Sequence, residues 1–571
     1  MQYRLVNNNF KDNYGRSLLH ARGVKDIDLF LHPTEECLQS AEALDNIAAG
    51  ANLLLGVLKE NKPILIIVDS DVDGYTSASI MYIYITMNFP EAKVKYRLHD
   101  GKQHGLEDHV EDLVEEDWGL IICPDSSSND IEYHDRMGCP VLVLDHHELD
   151  CEVSDNAIII NNQTSPNYRN KDLTGAGVAF QFCKYLDDFV HEIGVRADDL
   201  IDLAALGICG DMGSMLSLEN RYICYAGFKN VINPFFKAIL EKQSYSTGGK
   251  VNPMTVAFYV VPMINAMIRV GTMEEKTRLF EAFIDGNQMI PSGKRGAKGT
   301  LERAAVESVR ECTNARSHQN KILDKNVEKF EDRIAKYGLL DNRILFVRLE
   351  DYDELPAELN GLLAMKLAAK YKRPTIVARL NPEGFDRGSI RNVNNCALTD
   401  LKEFLTESGY FEYVQGHANA AGCSIADKDL RAFHEYANRK LENLDFGEGV
   451  YDVNFVRAAA DPDIEDLVFD LANYEDTWGQ QNPQALIYIH DLNITKDDYQ
   501  IMGKNKDTLK ITKFGISYMK FFAKDLIQQL SELNEIKINL VGKPNLNEWG
   551  GSFTPQIFIE AYEVEDGTFG F

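Results

Sequence analysis

Three carboxylates stand at alternate positions, Asp69, Asp71 and Asp73, with Gly74 directly after them. They follow Ile64–Val68, a run of five apolar, largely β-branched residues. Acids this close repel one another unless a cation offsets them, so the spacing points to a divalent-metal site. The plainer alternative is an acidic turn that uses Asp and Gly as turn formers. Three further segments end in the same manner. Gly119–Cys123 runs into Pro124, Asp125 and Ser126; Val141–Leu144 into Asp145, His146 and His147; Leu203–Ile208 into Cys209, Gly210 and Asp211. Each has an ordinary role by itself: Asp125 as a helix cap, the histidines as surface imidazoles, Asp211 as a turn residue. Together Asp69, Asp71, Asp125, His146, His147 and Asp211 offer oxygen and imidazole ligands, a set that suits Mn²⁺ or Mg²⁺ better than thiol-ligated zinc.

The elements that must position these groups are buried strands. Strand-length runs at Ile64–Val68, Lys93–Leu98, Gly119–Cys123, Val141–Leu144 and Ala157–Ile160 alternate with helical stretches such as Thr76–Met87. That alternation up to about residue 235 reads as βαβ units in a mostly parallel sheet. Ligands bind beyond the carboxyl ends of such strands, where all of these acids fall. Before the sheet, residues 1–48 read as a leader with a helix over Glu35–Ala49 that runs into Asn52–Lys59.

Beyond the sheet, Val260–Arg269 is apolar except for Asn265 and Arg269, and Ser292–Gly299 is a basic glycine-containing loop with Lys294, Arg295 and Lys298. A helix from Thr300 to about Tyr337, free of Pro and Gly until its end, is expected as a connector; its Arg303, Arg310, Arg316 and Lys321 either line a cleft or form a solvated face balanced by Glu302, Glu307 and Glu311. A second α/β unit follows, with strands at Arg343–Leu349 and Pro374–Leu380 around a helix at Leu359–Tyr371. It contains Gly388-Ser389-Ile390-Arg391 and a small-residue run about His417, Gly416 to Gly422. Small residues there permit close backbone approach to a ligand. After residue 446, short strands at Ile487–Ile494, Thr508–Phe514, Tyr518–Phe522, Ile536–Val541 and Gln556–Glu563 suggest an OB-type barrel. Lys504, Lys506, Lys510 and Lys513 interleave there with Phe514, Tyr518, Phe521 and Phe522, a pattern suited to single strands, although some of these rings must fill the core.

Composition sets the outer limits. The 571 residues allow three or four domains, and 44% hydrophobic content supports packed cores. No apolar run is read as a membrane span, the N-terminus has no signal core, and ten scattered cysteines form no Cys-x-x-Cys pair. The expectation is a chain in the reducing cytoplasm, without membrane contact and without a disulfide framework. A formal net charge of −29 opposes nucleic-acid binding taken globally, but a cleft has its own local field.

The order Asp69-x-Asp71-x-Asp73-Gly74, Asp125, Asp145-His146-His147 and Asp211 resembles the DHH phosphoesterase superfamily. Gly416-His417-Ala418-Asn419-Ala420-Ala421-Gly422 is similar to its DHHA1 partner domain. Leu173 to Phe180, Pro262 to Arg269, and Asn539 to Gly542 with Asn547-Glu548-Trp549 bring the likeness closest to the RecJ family, single-strand-specific 5′→3′ DNA exonucleases, over nearly the whole chain. The resemblance implies an α/β protein: a parallel-sheet DHH domain at 49–238, a helical connector at 239–335, a DHHA1 α/β domain at 336–445 and an OB-type β-barrel at 446–571, after the leader at 1–48. It implies two Mn²⁺ or Mg²⁺ ions held by Asp69, Asp71, Asp125, His146 and Asp211, with Asp125 as the bridge. Asp73 and Asp145 either ligate metal or support the ligands. His147 and His417 would contact the scissile phosphate; Arg97, Ser389 and Arg391 the 5′-end phosphate; Asn265 and Arg269 the strand backbone. Lobes that close over one strand would exclude a duplex, and a monomer acting in repair or recombination, served by a helicase or single-strand-binding protein, is expected. Three positions depart from the family pattern: Ile268 where Gly is common, His104 where Tyr is common, and Gln415 where Gly is frequent. Two other readings fit the same residues: a DHH phosphodiesterase for short oligonucleotides or cyclic dinucleotides, and a non-catalytic single-strand-binding module.

Overall fold

Every side chain of Ile64–Val68 (strand β1) is buried, which is what an apolar run covered on both sides requires. The computed structural model describes residues 2–6, 13–101, 103–149, 152–190, 194–350, 352–446, 449–532 and 535–565. Strands Val94–Leu98 (β2), Leu120–Pro124 (β3), Val141–Asp145 (β4) and Ala157–Asn161 (β5) join β1 in a five-stranded sheet of order β2-β1-β3-β4-β5. All pairings are parallel. Side chains alternate between two cores: Ile64, Ile66, Val68, Ile122 and Leu144 pack with helices on one face, while Leu65, Ile67, Cys123 and Val143 pack with Leu106, Val110 and Leu113 on the other. Register keeps the carboxyl ends together, with Val68 opposite Leu98, Pro124 opposite Leu144 and Asp145 opposite Asn161.

Three helices complete the rim. Helix α1 spans Val72–Asn88, α2 spans Gly175–Leu186 and α3 spans Ile201–Gly210. Helix α1 begins four residues before the expected Thr76, because Asp71 is its N-cap and accepts a hydrogen bond from Gly74 N at 3.0 Å. Gly74 is therefore helical rather than a turn residue; a Cβ there would lie 2.5 Å from the Asp69 Cβ. Leu203–Ile208 belongs to a helix, not a strand, and Asp211 is its C-cap. A run apolar on all sides does not distinguish the two by pattern. Helix α4, Val261–Val270, continues a π-helical turn at Val256–Val260. The combined segment Pro253–Val270 has the length and a mean hydropathy of 1.4 that a membrane span would need, contrary to expectation, yet half of it is buried inside the protein.

The chain packs as two units. Val24–Gln319 with Asp476–Pro483 forms the one just described; the segment ending at Gly23, Asn320–Glu475 and the segment from Gln484 onward form the other. The division falls within helix α5, Ala304–Lys336, which matches the expected connector. It also divides residues 1–48, which are more structured than a leader: Gln2–Leu5 pairs in parallel with Val450–Val453, and helices occupy Tyr14–Ala21 and Ile27–Leu31. The expected helix at Glu35–Ala49 is instead two 3₁₀ turns, and the helix proper starts at Ile47 after Asn46 in left-handed geometry. The basic loop is the tip of a hairpin made by Met289–Pro291 (β6) and Leu301–Arg303 (β7).

The second unit holds two sheets. Leu345–Leu349 (β8), Thr375–Leu380 (β9), Phe385–Arg391 (β10), Phe411–His417 (β11) and Ala420–Ala426 (β12) are ordered β11-β12-β10-β9-β8. Phe455–Ala458 (β13), Ile487–Thr495 (β14), Tyr499–Met502 (β15), Thr508–Lys513 (β16), Ile516–Lys520 (β17), Glu535–Trp549 (β18) and Ser552–Glu565 (β19) form a seven-stranded sheet of order β13-β14-β18-β19-β17-β16-β15. Two of these strands, β13 and β15, were not expected. Of the expected binding residues, Tyr518 is core and Lys513 is paired with Asp498 at 2.8 Å, while Phe514, Phe521 and Phe522 are exposed.

Candidate metal centre and strand-binding residues

The acids at the rim are placed by backbone that is itself constrained. Asp69 directly follows β1, and Asp125 follows β3 with φ of 69° while Ser127 has φ of 81°. Non-glycine residues seldom hold left-handed backbone, which costs on the order of 1–3 kcal/mol each and persists where surroundings over-determine it. The Asp125 N–H donates to Leu144 O at 2.8 Å, which ties the bend to the neighbouring strand. A Cβ on Gly175 would lie 2.3 Å from Asp125 Oδ1, so α2 can approach this carboxylate only with glycine there.

Ligand atoms form three groups, the atoms of each lying within 4.8 Å of one another: Asp69, Asp71 and Asp125; Asp73, His146 and Asp211; and Asp125 with Asp145, His146 and His147. His146 Nε2 lies 3.2 Å from Asp125 Oδ1, 3.6 Å from Asp211 Oδ2 and 4.0 Å from Asp73 Oδ2. Asp125 thus belongs to two groups and adjoins the third through His146. Asp69 Oδ1 and Asp125 Oδ1 are buried without a hydrogen-bond partner. Buried, unpartnered carboxylate oxygens aimed at one another are costly as they stand and fit a divalent cation.

The electrostatics agree. Burial, with Asp73, Asp71, Asp69 and Asp211 nearby, pushes the Asp125 carboxyl well above the ordinary range. Burial also raises Asp69 to about 6, and burial together with Asp73 and Asp71 raises Asp211 to about 8. Burial holds His146 below its usual value, with the charge of His147 adding to the effect. The site favours neutral carboxylates until a cation compensates them.

Asp73 and Asp145 have different surroundings. Asp73 accepts hydrogen bonds from Thr174 Oγ1 at 3.0 Å, Gly175 N at 2.7 Å and Ala176 N at 3.0 Å, at the N-terminus of α2, while Oδ2 also faces His146. Asp145 accepts from His147 Nδ1 at 2.8 Å, His146 N at 2.7 Å, His147 N at 3.2 Å and Ser128 N at 3.0 Å. Three of these bonds converge on Oδ1, the oxygen that orients the His147 ring, and Oδ2 takes the one from Ser128 N. Although burial opposes it, the hydrogen bond from His147 Nδ1 lifts His147 to about 9, while His147 holds Asp145 below the usual carboxylate range despite burial.

Other expected residues divide between the two units. Arg97 is the penultimate residue of β2; its Nη2 is held by Glu116 at 2.8 Å and its Nη1 is buried without a hydrogen-bond partner. Asn265 and Arg269 are half-buried one turn apart on α4, and the Arg269 guanidinium is desolvated within the electrostatic reach of Asp71. In the second unit, Arg391 and His417 both pair with Ala420, from opposite sides of β12, and Ser389 pairs with Gly422. All three are therefore at one end of that sheet, with His417 exposed.

Sequence reasoning noticed His104 only as a departure from the family pattern. It is a rim residue: its Nδ1 hydrogen-bonds Asp69 Oδ2 at 2.6 Å. Asn161, which the sequence marks only as the residue that ends a strand, also has a role at the rim. It donates to Ser128 Oγ at 3.0 Å and to His147 O at 2.9 Å, bracing the loop that carries both histidines. Its position at the end of β5, in register with Asp145, was the available signal.

A parallel α/β sheet with acids and imidazoles gathered at its carboxyl rim, followed by a glycine-rich histidine hairpin and a further β-sheet, defines a DHH-type protein. The chain matches the DHH family, N-terminal domain, over residues 63–208 and the RecJ OB domain over residues 461–561. A Bacillus subtilis (strain 168) protein provisionally named as the SPbeta prophage-derived single-strand DNA-specific exonuclease YorK is 36% identical over 577 residues, covering 99% of this chain and 98% of its own. The single-stranded-DNA-specific exonuclease RecJ of the same bacterium is 26% identical, covering 96% of this chain and 68% of its own. The crystal structure of RecJ from Thermus thermophilus in complex with Mn²⁺ superposes with a TM-score of 0.71 at 19% identity, over 96% of this chain and 76% of that one, a likeness of fold. The chain belongs to the RecJ family of DHH-domain proteins.

Proposed function

We propose that this protein is a metal-dependent exonuclease specific for single-stranded DNA, which removes 5′-mononucleotides in the 5′→3′ direction. The observation that carries the reading is the convergence of Asp69, Asp71 and Asp125 in one group of ligand atoms and of Asp73, His146 and Asp211 in another, adjoining where His146 Nε2 lies 3.2 Å from Asp125 Oδ1. The similarity to proteins named as single-strand DNA exonucleases supports the substrate class. These six residues would hold two divalent cations, Mn²⁺ or Mg²⁺, which would supply Lewis acidity at the phosphoryl oxygens and lower the pKa of the attacking water.

The chain's own groups do the rest. His147, oriented through Nδ1 by Asp145, presents Nε2 as a donor to a phosphate oxygen. Asn265 and Arg269 hold the strand backbone beside the acids, and a phosphate would give the desolvated guanidinium of Arg269 a direct ion partner in addition to the field of Asp71. Arg97 in the first unit is a candidate phosphate contact, and in the second unit Ser389, Arg391 and His417, gathered at one sheet end, are candidate phosphate contacts of their own. The working boundaries are 49–238 for catalysis, 239–335 for the connector, 336–445 for the histidine-bearing α/β domain and 446–571 for single-strand binding. A role in repair or recombination, with a helicase or single-strand-binding protein delivering the strand, accords with this activity.

The test is hydrolysis of a long single strand labelled at its 5′ end, the same strand labelled at its 3′ end, and a dinucleotide, each with Mn²⁺ or chelator. Early release of labelled mononucleotide from the 5′-labelled strand alone, dependent on metal, is expected. Activity confined to the dinucleotide, or unaffected by chelator, would overturn the reading.

A further inference from the structure

The chain carries 88 acids against 59 Lys and Arg, so a cation without a carboxylate partner is informative. Arg278 and Arg310 on the elements flanking the β6–β7 hairpin are each held by glutamates. At the hairpin tip the situation reverses. Lys294, Arg295 and Lys298 are all exposed within five positions, and among the described residues none has an ion-pair partner.

The hairpin base explains why. Gly293 N donates to Glu307 Oε2 at 3.0 Å, and Arg310 binds Glu302, Glu307 and Ser292 Oγ. The acids nearest the loop are thus spent on Arg310 and on the backbone, leaving the tip uncompensated. Ser292 N donates to Thr300 O at 2.7 Å and Gly299 N to Ser292 O at 2.9 Å, which closes the loop. Gly296 and Gly299 both have φ of 85°, a conformation glycine holds without strain. On the hairpin strands, Leu301 next to the tip is 64% exposed and Met289 at the base 54% exposed.

We propose that the β6–β7 hairpin is a second binding site for the phosphodiester backbone of a nucleic-acid strand, distinct from the acidic rim, with Lys294, Arg295 and Lys298 as its phosphate contacts. The proposal rests on the exonuclease reading for its substrate. Exposed cations hold a small anion weakly because water screens each contact. A polyelectrolyte binds them by counterion release, which grows with every phosphate neutralised. The exposed Leu301 and Met289 suit the apolar faces of unstacked bases alternating with those phosphates.

The experiment compares the full chain with its K294A/R295A/K298A variant. Binding to a long fluorescent single strand is followed in chelator between 50 and 200 mM salt, and hydrolysis of the long strand and of a dinucleotide is followed in Mn²⁺. Loss of three contacts should flatten the salt dependence of log K by about 2, so the wild type should weaken about 20-fold more than the variant across that range. KM for the long strand should rise while dinucleotide hydrolysis stays unchanged. A second variant, K294E/R295E/K298E, should deepen the loss; unaltered thermal unfolding of both variants shows that they fold. Equal salt slopes and equal KM values overturn the proposal, as would result if the tip served an acidic protein partner. If the wild type hydrolyses neither substrate, the exonuclease reading fails, and the binding slopes still decide the hairpin.

Discussion

The rim of the parallel sheet and the seven-stranded C-terminal sheet carry chemistry in opposite ways. At the rim the buried acids are held in place by their surroundings: Asp73 takes three hydrogen bonds at a helix N-terminus, Asp145 takes four, and Asp125 sits in left-handed geometry. On the C-terminal sheet the candidate contacts are exposed rings, Phe514 at 46%, Phe521 at 50% and Phe522 at 88%, with Tyr518 withdrawn into the core. Preorganisation suits developing charge, whereas exposed stacking suits a strand that must slide. Substitutions at the rim should therefore change catalysis steeply, and substitutions on the C-terminal sheet should change affinity modestly.

The largest expected effect is at Asp125. Asparagine tolerates positive φ, so Asp125→Asn keeps the backbone and removes only the charge. Hydrolysis in Mn²⁺ should fall by about 10³-fold or more, beyond the loss of a single neutral donor. Without metal the variant should melt at a higher temperature than the wild type, because burial and like charges disfavour the native carboxylate. A lower melting point would show that this carboxylate is stabilising rather than strained.

The next effect is at Asp145. Asp145→Asn leaves the volume but exchanges one acceptor oxygen for a donor, so the His147 ring loses its fixed orientation. Activity should drop about 10–100-fold, the range seen when a partner that orients a ligand is lost. Metal uptake measured alongside should remain; a loss of uptake equal to that of Asp125→Asn would mean that Asp145 is itself a ligand.

A third effect concerns stability. His99, just after β2, is buried with neither ring nitrogen hydrogen-bonded, and burial with the charges of His109 and His104 nearby holds its pKa down to about 3. The native state favours the neutral ring, so this stability is present above the unfolded value near 6.5 and is lost as pH falls towards 3. By pH 5 the cost reaches about 2 kcal/mol. Acid unfolding of His99→Phe, followed by circular dichroism, should lack that component; an identical pH profile would remove His99 from the account.

The smallest effect belongs to the C-terminal sheet. Phe522→Ala should weaken long-strand binding by about 1 kcal/mol, the lower end for a stacked base, without altering dinucleotide hydrolysis. A catalytic defect in this variant would erase the distinction between the two regions.

What was legible in the sequence follows the same division. The parallel sheet could be read because its central strands are buried on both faces and end in acids. Asp211 was misplaced on a strand because α3 is apolar on every side and its run gives no period. The start of α1 was missed because Gly74 serves close packing against Asp69 rather than a turn. His104 carried no spacing signal: it reaches Asp69 from a loop 35 residues downstream. The pairing of Gln2–Leu5 with Val450–Val453 joins residues 448 positions apart, beyond what local pattern can report. The bulge at Val541/Gly542 lets β18 run to Trp549, well past its expected end at Val541.

The most direct measurement is Mn²⁺ uptake by the chelated full chain at equilibrium, followed by titration calorimetry. The wild type should take up two ions per chain, and Asp125→Asn should lose at least one of them, because its carboxylate joins the ligand groups. Two ions bound by Asp125→Asn with wild-type affinity, or none bound by the wild type, would contradict the account.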